Sequence, residues 1–549
     1  MHRYRSRRSH PSRRPRSGPG PRRGAAVCLA LAALAALGTG PGAAPAVRTG
    51  APPATRTGPG AAPVTGPRTG PDPLARFAGQ RLRWGGCPDQ PGAPAAMRCA
   101  TLTVPVDHAD PAKGTLGVAM ARIPATGRKR LGSLVLNFGG PGAPGIEALA
   151  ADPKSFADLG ESYDLVAFDP RGVGHSAPVS CGGSLDPDPG TGDDPAAQLA
   201  ALRAVAARCA RHSGPVLPYI GTVHVARDLE VMRRVLGEEK LHYLGFSYGT
   251  RLGAAYAAQF PHRVGRMVLD GVDTLTEPLD QQALATAEGQ QRALEDFLRW
   301  CTRRAGCAAG TNTRSAKEHL NALVARLDAE PLTGGDGSPF TGKDLVAAIA
   351  GALYSEESWP ALADGLATAE RDGDPTGLLV LGGPAGPPPP QTGPATGHQV
   401  PADNPAAALV AVNCADDPDR GADKASPAAI EKEIESRAAE FRAASPLFGP
   451  HQLKTVLSCY GRPAGSGYLR AIDRPGAPPM LLVGTRGDPA TPYRWTEETA
   501  ARLGSAVVLD YKGGGHAAYF HSGCVRERVN AFLVDGELAR GTRACPAGE

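Results

Sequence analysis

The chain has 549 residues, enough for two to four domains or one large core carrying an insertion. Its formal charge of +5 misleads: nine arginines lie between Arg3 and Arg23, and without them the net charge is −4. A mildly acidic body with 21% charged residues offers no basic surface for nucleic acid, and that class of function is set aside.

The Arg-rich start, the apolar run Ala25 to Leu37 and the small residues up to Ala44-Pro45-Ala46 make the three parts of a secretory signal peptide, residues 1–46. The run is too short to span a bilayer, which argues against a stable membrane anchor, and Arg22-Arg23 leaves a twin-arginine route open. Residues 47–73 repeat Thr-Gly-Pro and Pro-Ala themes and read as a flexible linker or propeptide. Beyond the leader stand ten cysteines, and an even number in an exported chain reads as disulfides. Nearest-neighbour pairing predicts Cys87–Cys99, Cys181–Cys209, Cys301–Cys307, Cys414–Cys459 and Cys524–Cys545. No Cys/His cluster has zinc-ligand spacing, so no metal is expected.

Structure is expected from Leu74. Ala100 to Val106 and Leu116 to Ile123 read as strands around an Asp-Pro turn. Leu134 to Phe138 is a buried-strand pattern that ends in Gly139-Gly140-Pro141-Gly142. Tyr163 to Phe168 is the next, ending in Asp169-Pro170-Arg171-Gly172. Helices follow over about Pro195 to Arg211 and Thr222 to Leu236, then a strand at Leu241 to Phe246 and another at Arg266 to Asp270. Strands alternating with helices predict a parallel sheet covered on both faces. From about residue 275 to 474 the alternation stops. Leu294, Phe297, Leu298 and Cys301 fall at i, i+3, i+4 and i+7, a helix face, and Pro384 to Pro405 reads as a loop. Sheet strands resume at Pro479 to Gly484 and Ala506 to Asp510, and a helix over about Val525 to Leu538 closes the chain.

The strand at Leu241 runs into Gly245-Phe246-Ser247-Tyr248-Gly249 and then a small-residue helix. That strand–turn–helix setting exposes a serine hydroxyl on a sharp turn. Each resumed strand ends in a partner: Asp488 in Gly-Asp-Pro after the first, His516 after three glycines following the second. A serine hydroxyl attacks only once a neutral imidazole takes its proton, and a carboxylate must hold that imidazole in the right tautomer. The order Ser247, Asp488, His516 is that of α/β-hydrolases. His521 is a local rival to His516, and Asp270 or Asp273 could replace Asp488 as the acid. Gly139 and Gly140 stand where the oxyanion loop belongs, and the Tyr248 amide would supply the partner donor. The fold class is α/β: an α/β-hydrolase core over 74–274 and 475–549, with a large, mainly helical cap, 275–474, inserted between the sixth and seventh core strands. The triad needs no cofactor.

Four motifs together, Gly139-Gly140-Pro141-Gly142, Asp169-x-Arg171-Gly172-x-Gly174-x-Ser176, Gly245-x-Ser247-x-Gly249 and Gly487-Asp488-Pro489-x-Thr491-Pro492, give the chain a clear resemblance. With the late histidine, it resembles the secreted tripeptidyl aminopeptidases of actinomycetes, relatives of the prolyl iminopeptidases. The resemblance implies a secreted serine exopeptidase that acts on peptides with free N-termini and releases short ones, tripeptides above all, through an acyl-enzyme on Ser247. It also implies that a C-terminal region characteristic of the family starts within the cap. Two positions depart from the pattern: Asn137 stands where iminopeptidases carry His, and Tyr460 where Trp is expected. An enzyme that measures from a free N-terminus must sense an ammonium, which a cap carboxylate can do. The cap offers Glu356, Glu357, Asp416 and Asp417. A secreted carboxylesterase with the same triad is the alternative.

Overall fold

The structure, a computed structural model, describes residues 74–548 except 91, 186–194, 336, 383–398, 418, 420–425, 464 and 539–542. The leader and linker expectations for residues 1–73, and the proline run 387–390, lie outside the described residues.

The sheet is built from β1 (Arg98–Pro105), β2 (Thr115–Ile123), β3 (Gly132–Asn137), β4 (Tyr163–Phe168), β5 (Leu241–Phe246) and β6 (Val264–Asp270). A small hairpin, β7 (Leu332–Thr333) and β8 (Pro339–Phe340), lies in the insertion. The sheet resumes with β9 (Leu481–Gly487), β10 (Val507–Gly514) and β11 (Ala544–Cys545). Spatial order is β1-β2-β4-β3-β5-β6-β9-β10-β11. Among the described strands of this nine-stranded sheet only the β1–β2 and β2–β4 pairs are antiparallel, and each neighbouring pair in the order β4-β3-β5-β6-β9-β10-β11 is parallel. The insertion therefore sits between the sixth and seventh strands of the sheet. The terminal strand β11 was not evident in the sequence; at two residues it is too short for a pattern, and the Cys524–Cys545 disulfide tethers it.

The apolar runs of the central strands follow from burial on both faces. Alternate residues feed two cores: Val135, Val166, Tyr243 and Leu482 join one, Leu136, Leu165, Leu244 and Val483 the other. The helices Thr222–Val235 and Tyr248–Gln259 cover the first face, and Gly523–Asp535 covers the second. The Asp169 motif acts within the first core. Arg171 is fully buried and meets Asp228 through two contacts, Nε to Oδ2 at 2.7 Å and Nη2 to Oδ1 at 2.6 Å. It also donates to the carbonyls of Val106 and Pro105, so one guanidinium ties together three chain segments.

Two groups of helices in the insertion bear on the site, and the helices Pro427–Ala444 and Gly449–Leu457 form a smaller cluster around Phe441 and Leu453. Helices Leu279–Cys301, Thr313–Ala329, Gly342–Ala352 and Trp359–Asp372 enclose a core of their own around Phe297, Leu323, Ile349, Trp359 and Leu362. The helix Asn404–Asp416 instead joins the first hydrolase core through Ala407, Ala408, Val410, Ala411, Val412 and Cys414. All five disulfides form in nearest-neighbour order: Cys87–Cys99, Cys181–Cys209, Cys301–Cys307, Cys414–Cys459 and Cys524–Cys545.

Candidate active site

Ser247 lies between the end of β5 and the helix Tyr248–Gln259, with φ 55° and ψ −126°. This is a left-handed turn that a serine adopts only where its surroundings enforce it. The register sets Gly245 opposite Asn137 of β3. A Cβ on Gly249 would lie 2.6 Å from Asn137 Oδ1 and 2.8 Å from its carbonyl, so glycine is required for the helix to start against β3. Ser247 itself is half-buried.

Asp488 follows β9 and is 3% exposed. Its Oδ1 accepts the Ala490 and Thr491 amides, each at 2.8 Å, and its Oδ2 accepts the Thr491 hydroxyl at 2.9 Å. Both oxygens reach His516 Nδ1, at 3.0 and 2.9 Å. The second imidazole nitrogen, Nε2, is buried and has no hydrogen-bond partner among the described residues. Burial alone would depress the His516 pKa, but the Asp488 carboxylate outweighs it and the pKa is raised.

Asp270 joins the serine turn to the histidine loop. Its carbonyl accepts the Ser247 amide at 2.9 Å, and its carboxyl group accepts the Ala518 and Tyr519 amides at 3.2 and 2.8 Å. Burial pushes its pKa up to about 7. With its oxygens taken by those amides, Asp270 does not displace Asp488 at His516. Asp273, the other rival acid, pairs with Arg251 at 2.9 Å. His521 meets the His516 carbonyl through Nε2 at 3.0 Å, supporting the His516 loop. Gly271 packs against the imidazole, a Cβ there lying 3.0 Å from Cε1.

The glycine loop after β3 corrects one expectation. The Gly139 amide donates to Asn137 Oδ1 at 3.1 Å, so it is spent within the loop and is not a free donor. The Gly140 and Tyr248 amides have no acceptor among the described residues. Asn137, the departure from the iminopeptidase pattern, thus shapes the loop rather than facing solvent.

Sequence reasoning missed two neighbours. Thr491 adds a hydroxyl bond to Asp488, and its signal was present: a threonine three residues after a turn aspartate closes a side-chain turn. Tyr354, from the insertion, accepts the His516 amide on its carbonyl at 2.9 Å and sets its ring edge-on to the imidazole at 5.1 Å. No sequence pattern marks it.

The four insertion carboxylates separate. Asp416 is 4% exposed and both its oxygens accept from Thr222, which removes it as a substrate-facing group. Asp417 is half-buried and accepts the Leu279 and Asp419 amides. Glu356 and Glu357 are exposed and directly follow Tyr354 and Ser355. Glu356 Oε1 lies over Gly514, where a Cβ would come within 2.7 Å of it, two residues before His516.

Comparison with known proteins follows the same lines. The family model described as TAP-like protein matches residues 445–545, beginning inside the insertion. Serine protease Hip1 of Mycobacterium tuberculosis is 34% identical over 486 residues, covering 83% of this chain and 89% of that one. Tripeptidyl aminopeptidase of Streptomyces coelicolor is 30% identical over 483 residues, covering 84% and 85%. The chain belongs to the tripeptidyl aminopeptidase family. Within reach of that family lies Carboxylesterase B of Mycobacterium tuberculosis, 32% identical over 462 residues, covering 82% and 86%. With its α/β-hydrolase sheet, this family member is a serine hydrolase. Among the described residues no helix is long and apolar enough to cross a membrane, and no cluster of three or more His, Cys, Asp or Glu could hold a metal.

Proposed function

We propose that the chain is a secreted serine exopeptidase that removes short peptides, tripeptides foremost, from free N-termini. The observation that carries this reading is the Asp488–His516 pair, tied by Asp270 to the turn that bears Ser247. Asp488 holds Nδ1, so Nε2 is the nitrogen left to take the Ser247 proton. Oγ then attacks the scissile carbonyl, and the Gly140 and Tyr248 amides receive the oxyanion. As the tetrahedral species collapses, His516 gives its proton to the leaving amine and the acyl-enzyme remains. Water, deprotonated by the same histidine, attacks the ester, and the peptide leaves with Ser247 restored.

Two relatives carry the name tripeptidyl aminopeptidase, from Streptomyces coelicolor and Streptomyces lividans, which supports the peptidase reading over a simple esterase. The relative named Carboxylesterase B keeps the esterase as the second reading. The exposed Glu356, over the strand that leads to His516, is the carboxylate best placed to receive a substrate ammonium. A leader of signal-peptide pattern and five disulfides support export.

The test compares a free tripeptide anilide with its N-acetylated form. Cleavage of the free form alone, with KM raised in Glu356→Gln, is the expected result. Equal cleavage of both forms, or simple esters far outpacing every peptide, overturns the exopeptidase reading in favour of the esterase.

A further inference from the structure

The helix Asn404–Asp416 bears on both arms that flank the serine. At its N-terminal end it lies on the glycine loop: a Cβ on Gly142 would stand 2.9 Å from the Pro405 carbonyl and 3.2 Å from Ala408 Cβ. That end is itself pinned. Asn404 Oδ1 accepts the Gly174 amide, and its Nδ2 donates to the carbonyls of Gly172 and Val179 at 2.8 Å each. Asp403, just before it, accepts the Cys181 amide at 2.7 Å and the Ser180 hydroxyl at 2.8 Å. At the C-terminal end, Cys414 is bonded to Cys459, and two residues on stands Asp416.

Asp416 is a buried carboxylate with a defined task. Its Oδ1 accepts the Thr222 amide at 2.9 Å and its Oδ2 accepts the Thr222 hydroxyl. The Thr222 oxygen in turn lies 2.6 Å from the Tyr248 hydroxyl. Since Thr222 spends its own proton on Asp416, the phenol is the donor in that last bond. A relay of two hydrogen bonds therefore runs from Asp416 to the residue that follows the nucleophile. All three side chains are buried, so none of these bonds exchanges freely with water. A buried phenol left without its acceptor would carry the full desolvation penalty, which makes the ring's position sensitive to the far end of the chain.

We propose that Asp416 is a positioning residue for the oxyanion arm: through Thr222 it fixes the Tyr248 ring, and with it the Tyr248 amide beside Ser247. Neither Asp416 nor Thr222 touches substrate. The inference rests on the reading of Tyr248 N–H as an oxyanion donor. It explains why a carboxylate is buried beside a disulfide in this helix, and it gives the helix a task at each end, with the glycine loop at one and the nucleophile turn at the other.

The experiment measures kcat, KM, thermal midpoint and affinity for a peptide boronate in Tyr248→Phe, Asp416→Asn and the double variant. A boronate forms a tetrahedral adduct on serine and so reports on the donors, whereas KM reports on ground-state binding. Losing a donor outright costs about 10²–10³ in kcat, so a donor loosened but still present should cost less, on the order of tenfold. We expect kcat and boronate affinity each to fall about tenfold in either single variant, with KM little changed. The double variant should be no worse than the poorer single, because both substitutions cut one relay. Multiplicative effects in the double variant, a rise in KM at constant kcat, or a lowered midpoint with kcat and boronate affinity intact would each overturn the proposal. Tyr248→Phe keeps the ring and its packing, so it serves even if Asp416→Asn folds poorly. Activity retained in Ser247→Ala would overturn the Ser247 assignment itself, a failure distinct from loss of the relay alone.

Discussion

The four-helix lobe of the insertion, built around Phe297 and Trp359, and the helix Asn404–Asp416 arise from the same stretch of sequence, yet they are held by different means. The lobe is made of amphipathic helices. In Thr313–Ala329 the buried positions are Ala316, Leu320, Leu323 and Leu327, a single stripe facing the lobe's own core. The helix Asn404–Asp416 has buried residues around nearly its whole circumference, and they merge with the core beneath the sheet. The lobe also reaches the catalytic loops: Tyr354 lies against His516, and the helix Leu279–Cys301 packs on the Asp488 loop, where a Cβ on Gly289 would stand 2.8 Å from the Pro489 carbonyl. Insertion in the sequence is therefore a poor guide to what a segment serves. One part is a lobe with a separate core, and the other is part of the enzyme body that arrives late in the chain.

The largest effect to be expected tests whether both regions serve one centre. Ser247→Ala should lower kcat/KM by about 10⁴–10⁶ toward every substrate, while leaving the thermal midpoint in place. A phosphonate that labels another serine would remove the point of reference for the whole comparison. Next, Gly142→Ala sharpens the contrast from the side of the body helix. Its φ of 99° is strained for alanine, and the new methyl group would press on the Pro405 carbonyl.

Leu362→Ala addresses the lobe. The side chain is fully buried there, and its loss should cost about 2–5 kcal/mol. That loss should fall on the lobe, visible as earlier hydrogen exchange in its helices, with turnover of a small acyl ester less affected than in Gly142→Ala. If the two variants lose ester turnover equally, the two regions are one unit after all. The smallest effect concerns pH. Asp488 raises the His516 pKa, and only the neutral imidazole can accept the serine proton. The acidic limb of kcat/KM should accordingly centre above the ordinary histidine value of about 6.5, with activity falling as pH drops through it. A limb centred well below that value would contradict the ion pair.

Much of the sheet was legible because its strands are buried on both faces and read as mostly apolar runs, Leu165 to Phe168 and Leu481 to Val483 among them. Ser247, Asp488 and His516 stood out for a related reason: each follows such a run at its C-terminal end, where a parallel sheet presents its loops. What stayed hidden depends on contacts distant in the chain. Asn137 takes the Gly139 amide, a bond that the glycine motif alone cannot announce. Asp416, read as a cap carboxylate able to meet an ammonium, pairs with Thr222, 194 residues earlier. The run Ala406 to Val412 did carry a signal that was passed over, since a helix apolar all round is a buried one.

The disulfides carry a consequence for how the molecule is made. Each cysteine of the five bonds pairs with the next one along, over separations of 6 to 45 residues, and no bond encloses another. A chain threaded N-terminus first into an oxidising space would bring out each correct pair before the following cysteine arrived. An oxidase that simply joins consecutive thiols would then suffice, and an isomerase that reshuffles wrong pairs would have little to correct. Refolding from the fully reduced chain loses that order of arrival. All ten thiols then compete at once, so bacterial cytoplasmic expression followed by oxidation should give a lower yield of native enzyme than export.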